Sequence, residues 1–219
     1  MTKSKFNVNS DGLFRQNIVL MSGLVTAPII VAATSAQRAL ALVMSFFLIS
    51  YTSIVLCRFI SRKIAYSIRI LLYAVVAGIM YIPTMYLLNM LFPDIINGVR
   101  LYIEIMVVNS LLLAKTETRF YLKPFGEMAV DALIYVAGFA AAAFAVGIIR
   151  EMLAYGTLFG VRLFDPVVPA AKSPFFGFIL VGLFAALCRV IVGKRAIRQK
   201  RPREHERFRI ALEIYDDEE

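Results

Sequence analysis

The chain has 219 residues, of which 60% are hydrophobic and only 18% charged, yet its formal net charge is +9. A soluble domain holds roughly 45–50% apolar residues and a disordered chain fewer still, so this is an all-α integral membrane protein whose basicity records topology before nucleic acid. Two cysteines, one histidine and no tryptophan leave no disulfide framework, no Cys-x-x-Cys pair, no zinc-type Cys/His set and no haem attachment motif.

Residues 1–16 form a polar N-tail without the apolar run and small-residue site of a cleaved signal peptide, so the first span is expected to be retained. A bilayer-crossing helix needs about 20 apolar residues, because about 30 Å of hydrocarbon is covered at about 1.5 Å per residue. Charge-free windows lie between Arg15 and Arg38, Arg38 and Arg58, Arg69 and Asp94, Asp131 and Arg150, and Lys172 and Arg189. A further window, Leu101 to Ala114, is short and contains Glu104. The economical reading is six transmembrane helices in a membrane domain over residues 17–193, followed by a charged tail over residues 194–219.

With six spans, nineteen of the 24 Lys and Arg residues fall on one side of the membrane and five on the other. That asymmetry puts both termini in the cytoplasm. The tail runs from basic (Lys194 to Arg201) to acidic (Asp216 to Glu219). Its basic part suits lipid headgroups, at about 1 kcal/mol per basic residue near an anionic surface, and no nucleic-acid role is expected.

Two windows carry interruptions. The first contains Gly23 and Pro28, and the fourth is short and polar at Glu104, Asn109 and Ser110. Paired irregular segments in two three-helix halves point to an inverted repeat with interrupted helices 1 and 4, although Gly23 and Pro28 also suit a simple kink. A carboxylate inside a span faces protein or water, which makes Glu104, Asn109, Ser110 and Asp131 a candidate ion path. Glu104 also fits an interfacial or protein-paired position, and Asp131, opening the fifth window, suits the positive end of a helix. After Arg150-Glu151, Gly156 and Gly160 permit a tight re-entrant or surface loop, and no Lys-Ser/Thr follows to make it a P-loop. Cys57 and Cys188 stand at the ends of the second and sixth windows beside Arg58 and Arg189.

At three stretches the sequence resembles the membrane subunit family shared by the Rnf electron-transport complexes and the sodium-pumping NADH:quinone reductases (Nqr). Asn17 to Pro28, with Ala33-Thr34-Ser35-Ala36, resembles the family's Asn-Pro-Val…Gly-Leu-Cys-Pro…Thr-Ser-Ala. Val107-Val108-Asn109-Ser110 through Lys115-Thr116-Glu117 resembles Val-Val-Asn-Cys…Gly-Arg-Ala-Glu. Gly147-Ile148-Ile149-Arg150-Glu151 with Gly156 to Gly160 is similar to Gly-x-Ile-Arg-Glu…Gly-Thr-x-Phe-Gly, and Asp131 and Gly138 keep the family spacing. The resemblance spans Asn17 to Arg189. It marks Asn17, Pro28, Gly138, Gly147, Arg150, Glu151, Gly156 and Gly160 as structural motif residues.

The family comprises paired six-span subunits, RnfA with RnfE or NqrE with NqrD, and cytoplasmic termini match RnfE and NqrD. In the family each broken helix supplies a cysteine to an iron centre shared by the pair; here those positions are Ala27 and Ser110. Alanine offers no ligand, and a hydroxyl replaces thiolate poorly at iron. A family proline before the second motif is replaced by Glu104, and the glycine-rich start of the fifth span is thinned to Asp131-Ala132-Leu133-Ile134-Tyr135-Val136.

The resemblance therefore implies a divergent subunit of an ion-translocating electron-transport complex in a bacterial inner membrane. It would form part of the membrane core with a sister subunit and bind no cofactor itself, while partner subunits carry iron or iron–sulfur centres and flavins, and sodium ion or proton is translocated. A cysteine-less secondary transporter or channel for a cation or small solute, and a purely structural subunit, are the other readings. No catalytic residue or metal site is expected in the chain.

Overall fold

Long charge-free stretches satisfy their backbone internally as helices, the arrangement hydrocarbon demands. The computed structural model describes residues 17–193 apart from Leu24, Arg62 and Ser110. Its helices are α1 (Ala36–Cys57), α2 (Tyr66–Leu91), α3 (Pro93–Ile105), α4 (Phe125–Tyr155) and α5 (Pro174–Gly193). One hairpin, β1 (Thr157–Leu158) against antiparallel β2 (Val161–Arg162), joins α4 to α5. Among the described residues, α1, α2, α4 and α5 are long and apolar enough to cross a membrane. The N-tail and the charged C-tail lie outside the described residues, and with them the headgroup-binding segment expected from sequence.

The six sequence windows thus become four continuous spans and two broken segments. In the first, residues 17–22 make a turn, Val25 takes a left-handed φ of 56°, and Pro28–Ala32 winds in wide π-type turns before Ala33 breaks the helix again. In the second, α3 tightens into a 3-10 turn at Met106–Val108, Asn109 is extended, and Leu111–Lys115 winds again in wide turns. Neither segment keeps the continuous hydrogen-bond ladder of an ordinary span.

The centre of the bundle is the packing of α1 on α4. Phe46 and Phe139 stack at 4.1 Å between ring centroids, and a Cβ at Gly147 would stand 2.8 Å from that of Ala39. The two broken segments lie around this pair: Pro28–Ala32 meets α1, α3 and α4, while Met106–Val108 meets α1 and α2. The outer faces of α2 and α5 expose Ile79, Ile82, Tyr86, Phe175 and Phe178, the side chains lipid would contact.

Hydrogen bonds sort the charges onto two ends. Arg58, Arg69, Arg119 and Lys123 gather at one end around the chain between Lys115 and Pro124, whereas Arg38 and Arg150 stand at the other, around the start of α1. The fifth window, Asp131 to Arg150, marks the hydrocarbon and not the helix limits. α4 begins at Phe125, because Pro124 holds the extended conformation preceding a helix. Asp131 therefore sits in the second turn and does not cap the helix, which corrects the capping expectation.

Candidate functional site at two broken helices

The first break is held by two adjacent residues of α4. Arg150 is fully buried, and its guanidinium donates five hydrogen bonds to main-chain oxygens. Nη1 reaches Ile30 O (2.8 Å) and Ala33 O (3.2 Å), which the broken ladder leaves without helical partners. Nε reaches Ala171 O (3.0 Å), and Nη2 reaches Lys172 O (2.9 Å) and Ser173 O (3.1 Å), at the close of the 3-10 turn Pro169–Lys172. A cation is favourable at such carbonyl ends, and the planar fork supplies several donors at once.

Glu151 treats the opposite polarity. Its Oε2 accepts from Ala36 N at 2.7 Å, at the N-terminus of α1, where backbone N–H groups lack partners and an anion is stabilised. Its Oε1 accepts from Thr157 Oγ1 and Gly160 N, both at 3.0 Å, fastening the hairpin. Asn17 ties the start of the segment to the same helix: Nδ2 donates to Gly138 O (2.9 Å), while Oδ1 accepts from Val19 N and Leu20 N. Pro28 is buried and begins the short helix.

The second break is held by α1. Buried Asn109 donates from Nδ2 to Ser50 Oγ (2.8 Å) and to Met106 O (2.6 Å). Ser45 Oγ donates to Leu42 O (2.8 Å) and lies 3.5 Å from Met106 Sδ. Beyond this break, Glu117 receives Arg69 through two bonds, Nε at 2.9 Å and Nη2 at 2.8 Å, and also the Tyr73 hydroxyl. Buried Asp131 receives Arg119 (2.6 and 3.0 Å) and Lys123 (2.8 Å). Arg58 Nη1 donates to Tyr121 O (2.8 Å), closing the same loop onto the end of α1.

The structure strings the motif residues along the first broken segment and α4: Asn17 against Gly138 near the middle of the helix, Gly147 against Ala39, and Arg150, Glu151, Gly156 and Gly160 at its end, with Pro28 opening the short helix that Arg150 holds. Glu104 is not among them. Its side chain is 49% exposed on α3, paired with Arg100 at 3.2 Å and with the Tyr81 hydroxyl at 3.1 Å. Asn109 and Asp131 are buried at different places, and Ser110 lies outside the described residues. Sequence reading passed over Ser50, Arg69, Tyr73, Glu117, Arg119 and Lys123. Glu117 closes the second motif and was within reach; the 12-residue separation of Arg119 and Asp131 has no helical period to signal it.

Ala27 presents an exposed methyl group at the start of the first short helix. Cys57 is buried at the end of α1 and Cys188 lies in α5. Among the described residues no group of three or more His, Cys, Asp or Glu is placed to hold a metal ion. Alanine at position 27 and serine at position 110 supply no thiolate, so by residue type they do not fit an iron centre that draws one from each broken segment.

Residues 5–187 match the family described as Rnf-Nqr subunit, membrane protein. The chain is 26% identical over 215 residues, covering 91% of each chain, to the E-type component of the ion-translocating oxidoreductase complex of Edwardsiella ictaluri. It is 27% identical to the component of the same name from Rhodobacter capsulatus, over 89% of this chain and 87% of that one. The E-type component of a proton-translocating ferredoxin:NAD(+) oxidoreductase complex from Clostridium ljungdahlii is 22% identical over 86% of this chain and 90% of its own length.

Proposed function

This chain belongs to the Rnf-Nqr family of membrane subunits, and from that premise we propose that it is an integral subunit of an ion-translocating electron-transport complex. It forms part of the membrane core with a sister subunit of the same architecture, both termini in the cytoplasm of a bacterial cell. The complex couples electron transfer to movement of sodium ion or proton, with iron and flavin groups held by partner subunits.

The observation that carries this reading is the reciprocal bracing of the two breaks. Arg150 of α4 holds the carbonyls of Ile30 and Ala33, while Ser50 of α1 holds Asn109 of the other segment. Each broken segment leans on the long helix of the opposite half, the relationship an inverted repeat would produce. Residues 27 and 110 both immediately precede a short wide-turn helix. Residue 27 is alanine and residue 110 serine, which supports a chain that positions the core and leaves ligation to its partners.

Within that core, Asn109 stands at a break and, with Ser110 next to it in sequence, remains on the candidate ion path. Asp131, held by two cations, locks the loop after the second break. Glu104 lies on a face that a partner subunit would cover.

Affinity purification of the tagged chain from its native membranes tests the assignment. Co-isolation of a homologous six-span subunit with flavin- and iron-containing subunits is the expected result. Recovery of a lone chain that transports ions by itself in liposomes would replace it with the transporter reading.

A further inference from the structure

The hairpin after α4 breaks a local rule. Its two turn residues, Phe159 and Gly160, both have positive φ (52° and 83°), the mirror-image turn that suits twisted strands and takes Asn-Gly or Asp-Gly by preference. Phenylalanine is out of place at the first position, because a bulky residue there is strained. Its side chain is 45% exposed, so only part of its apolar surface is covered by the fold. Strain retained for a side chain that faces outward points to something outside the chain that it touches.

Phe159 has company. Val161, Leu163, Phe164 and Val167 are exposed with it, forming an apolar knob on a short connection between two spans. The knob is rigidly held: Gly160 N donates to Glu151 Oε1 (3.0 Å), Gln37 Nε2 donates to Phe159 O (3.4 Å), and Val168 N donates to Leu153 O (2.8 Å). Leu163 N and Phe164 N both donate to Gly156 O. Gly156 turns at φ +65° directly beneath Phe164 O, where a Cβ would come within 2.0 Å. The Arg162–Asp165 ion pair leaves the knob without net charge.

Depth identifies the partner. The charge-free run from Ala132 to Ile149 has 18 residues, about 27 Å of helix and so about one hydrocarbon thickness. Arg150 closes that run at the end of the bundle where Arg38 also stands, with Lys172 at the same end just before α5. The hairpin does not project away from it, because the bond to Glu151 brings the tip back to the level of the next residue. The lipid-facing surface continues on the other side of the connection at Phe175 and Phe178 of α5.

We propose that the hairpin tip, led by Phe159, is a lipid-binding surface seated at the headgroup–acyl boundary of the leaflet away from the Lys/Arg-rich end. Aromatic side chains are favoured at that level. The paired strands and the bond from Gly160 N to Glu151 reduce the number of open backbone donors that the segment would carry into it. Glu151 joins this anchor to the start of α1, so the lipid surface steadies the first break.

The chain contains no tryptophan, which permits a direct test. F159W and V161W, each in the full-length chain, are reconstituted in phosphatidylcholine vesicles, with I79W in the middle of α2 as the deep reference. Bromines near the glycerol end of the acyl chains are expected to quench F159W and V161W at least about threefold more than bromines near the terminal methyl, with the order reversed for I79W. Introducing F159N beside V161W should reduce that quenching while leaving the thermal unfolding midpoint unchanged or higher. Free access of acrylamide to the hairpin tryptophans without bromine quenching would overturn the proposal. So would shielding that appears only in the intact complex, which would assign the knob to a protein partner.

Discussion

Arg150 and Glu151 are neighbours in sequence and serve opposite polarities of a single break. The guanidinium takes the carbonyls of Ile30 and Ala33, where one short helix ends, and the carboxylate takes the Ala36 amide, where α1 begins. Helix ends carry unsatisfied groups and partial charges of opposite sign. A membrane break is tolerated where protein supplies those partners, and here two consecutive residues do so.

R150Q therefore leaves several buried carbonyls unpaired and should lower stability by about 3 kcal/mol or more. R150K keeps the charge but cannot reproduce the fork, so it should fall between wild type and R150Q. Urea unfolding in detergent micelles measures the order, and equal stability of R150Q and wild type would contradict the brace.

E151Q removes the charge at the start of α1 and places an amide nitrogen against a donor, since Glu151 accepts from three groups with both oxygens. A loss of about 1–2 kcal/mol is expected. Hydrogen exchange should quicken both at Ala36 and at the hairpin, because one carboxylate serves both places.

D131N leaves Arg119 and Lys123 without their counter-charge in a largely enclosed site. Breaking such a pair from one side costs about 3 kcal/mol, and protease cleavage within the loop after Glu117 should rise in parallel. Unchanged protection of that loop would show that Asp131 does not lock it.

Glu104 and Asn109 provide a contrast. The Arg100–Glu104 pair is exposed, so E104Q should change stability by less than about 0.5 kcal/mol. N109A removes buried bonds to Ser50 and Met106 and should cost about 1–3 kcal/mol. The unfolding midpoints of the two variants, measured side by side, check the difference.

These contrasts also show how far the sequence reaches. Both breaks were legible because proline, glycine and uncommon polar residues interrupt apolar windows, and Arg150-Glu151 stood out through a motif. Asp131 was misread because charge marks the hydrocarbon boundary while Pro124 sets the helix start. Glu104 drew attention as a carboxylate in a short window, yet its exposure depends on how α3 is rotated, which composition does not encode. The partners of Glu117 and Asp131 arise from folding loops back onto distant helices, and no local period announces such contacts. The strain at Phe159 depends on a backbone angle, visible only once the hairpin is built.

The most direct measurement is the iron content and electron paramagnetic resonance of the complex isolated through this chain, compared between wild type and C57S/C188S, which removes both of the chain's cysteines. The account predicts co-isolated redox subunits with the same iron per complex and the same signal in both. Loss of the iron signal in C57S/C188S would show that this chain ligates the centre and would contradict it.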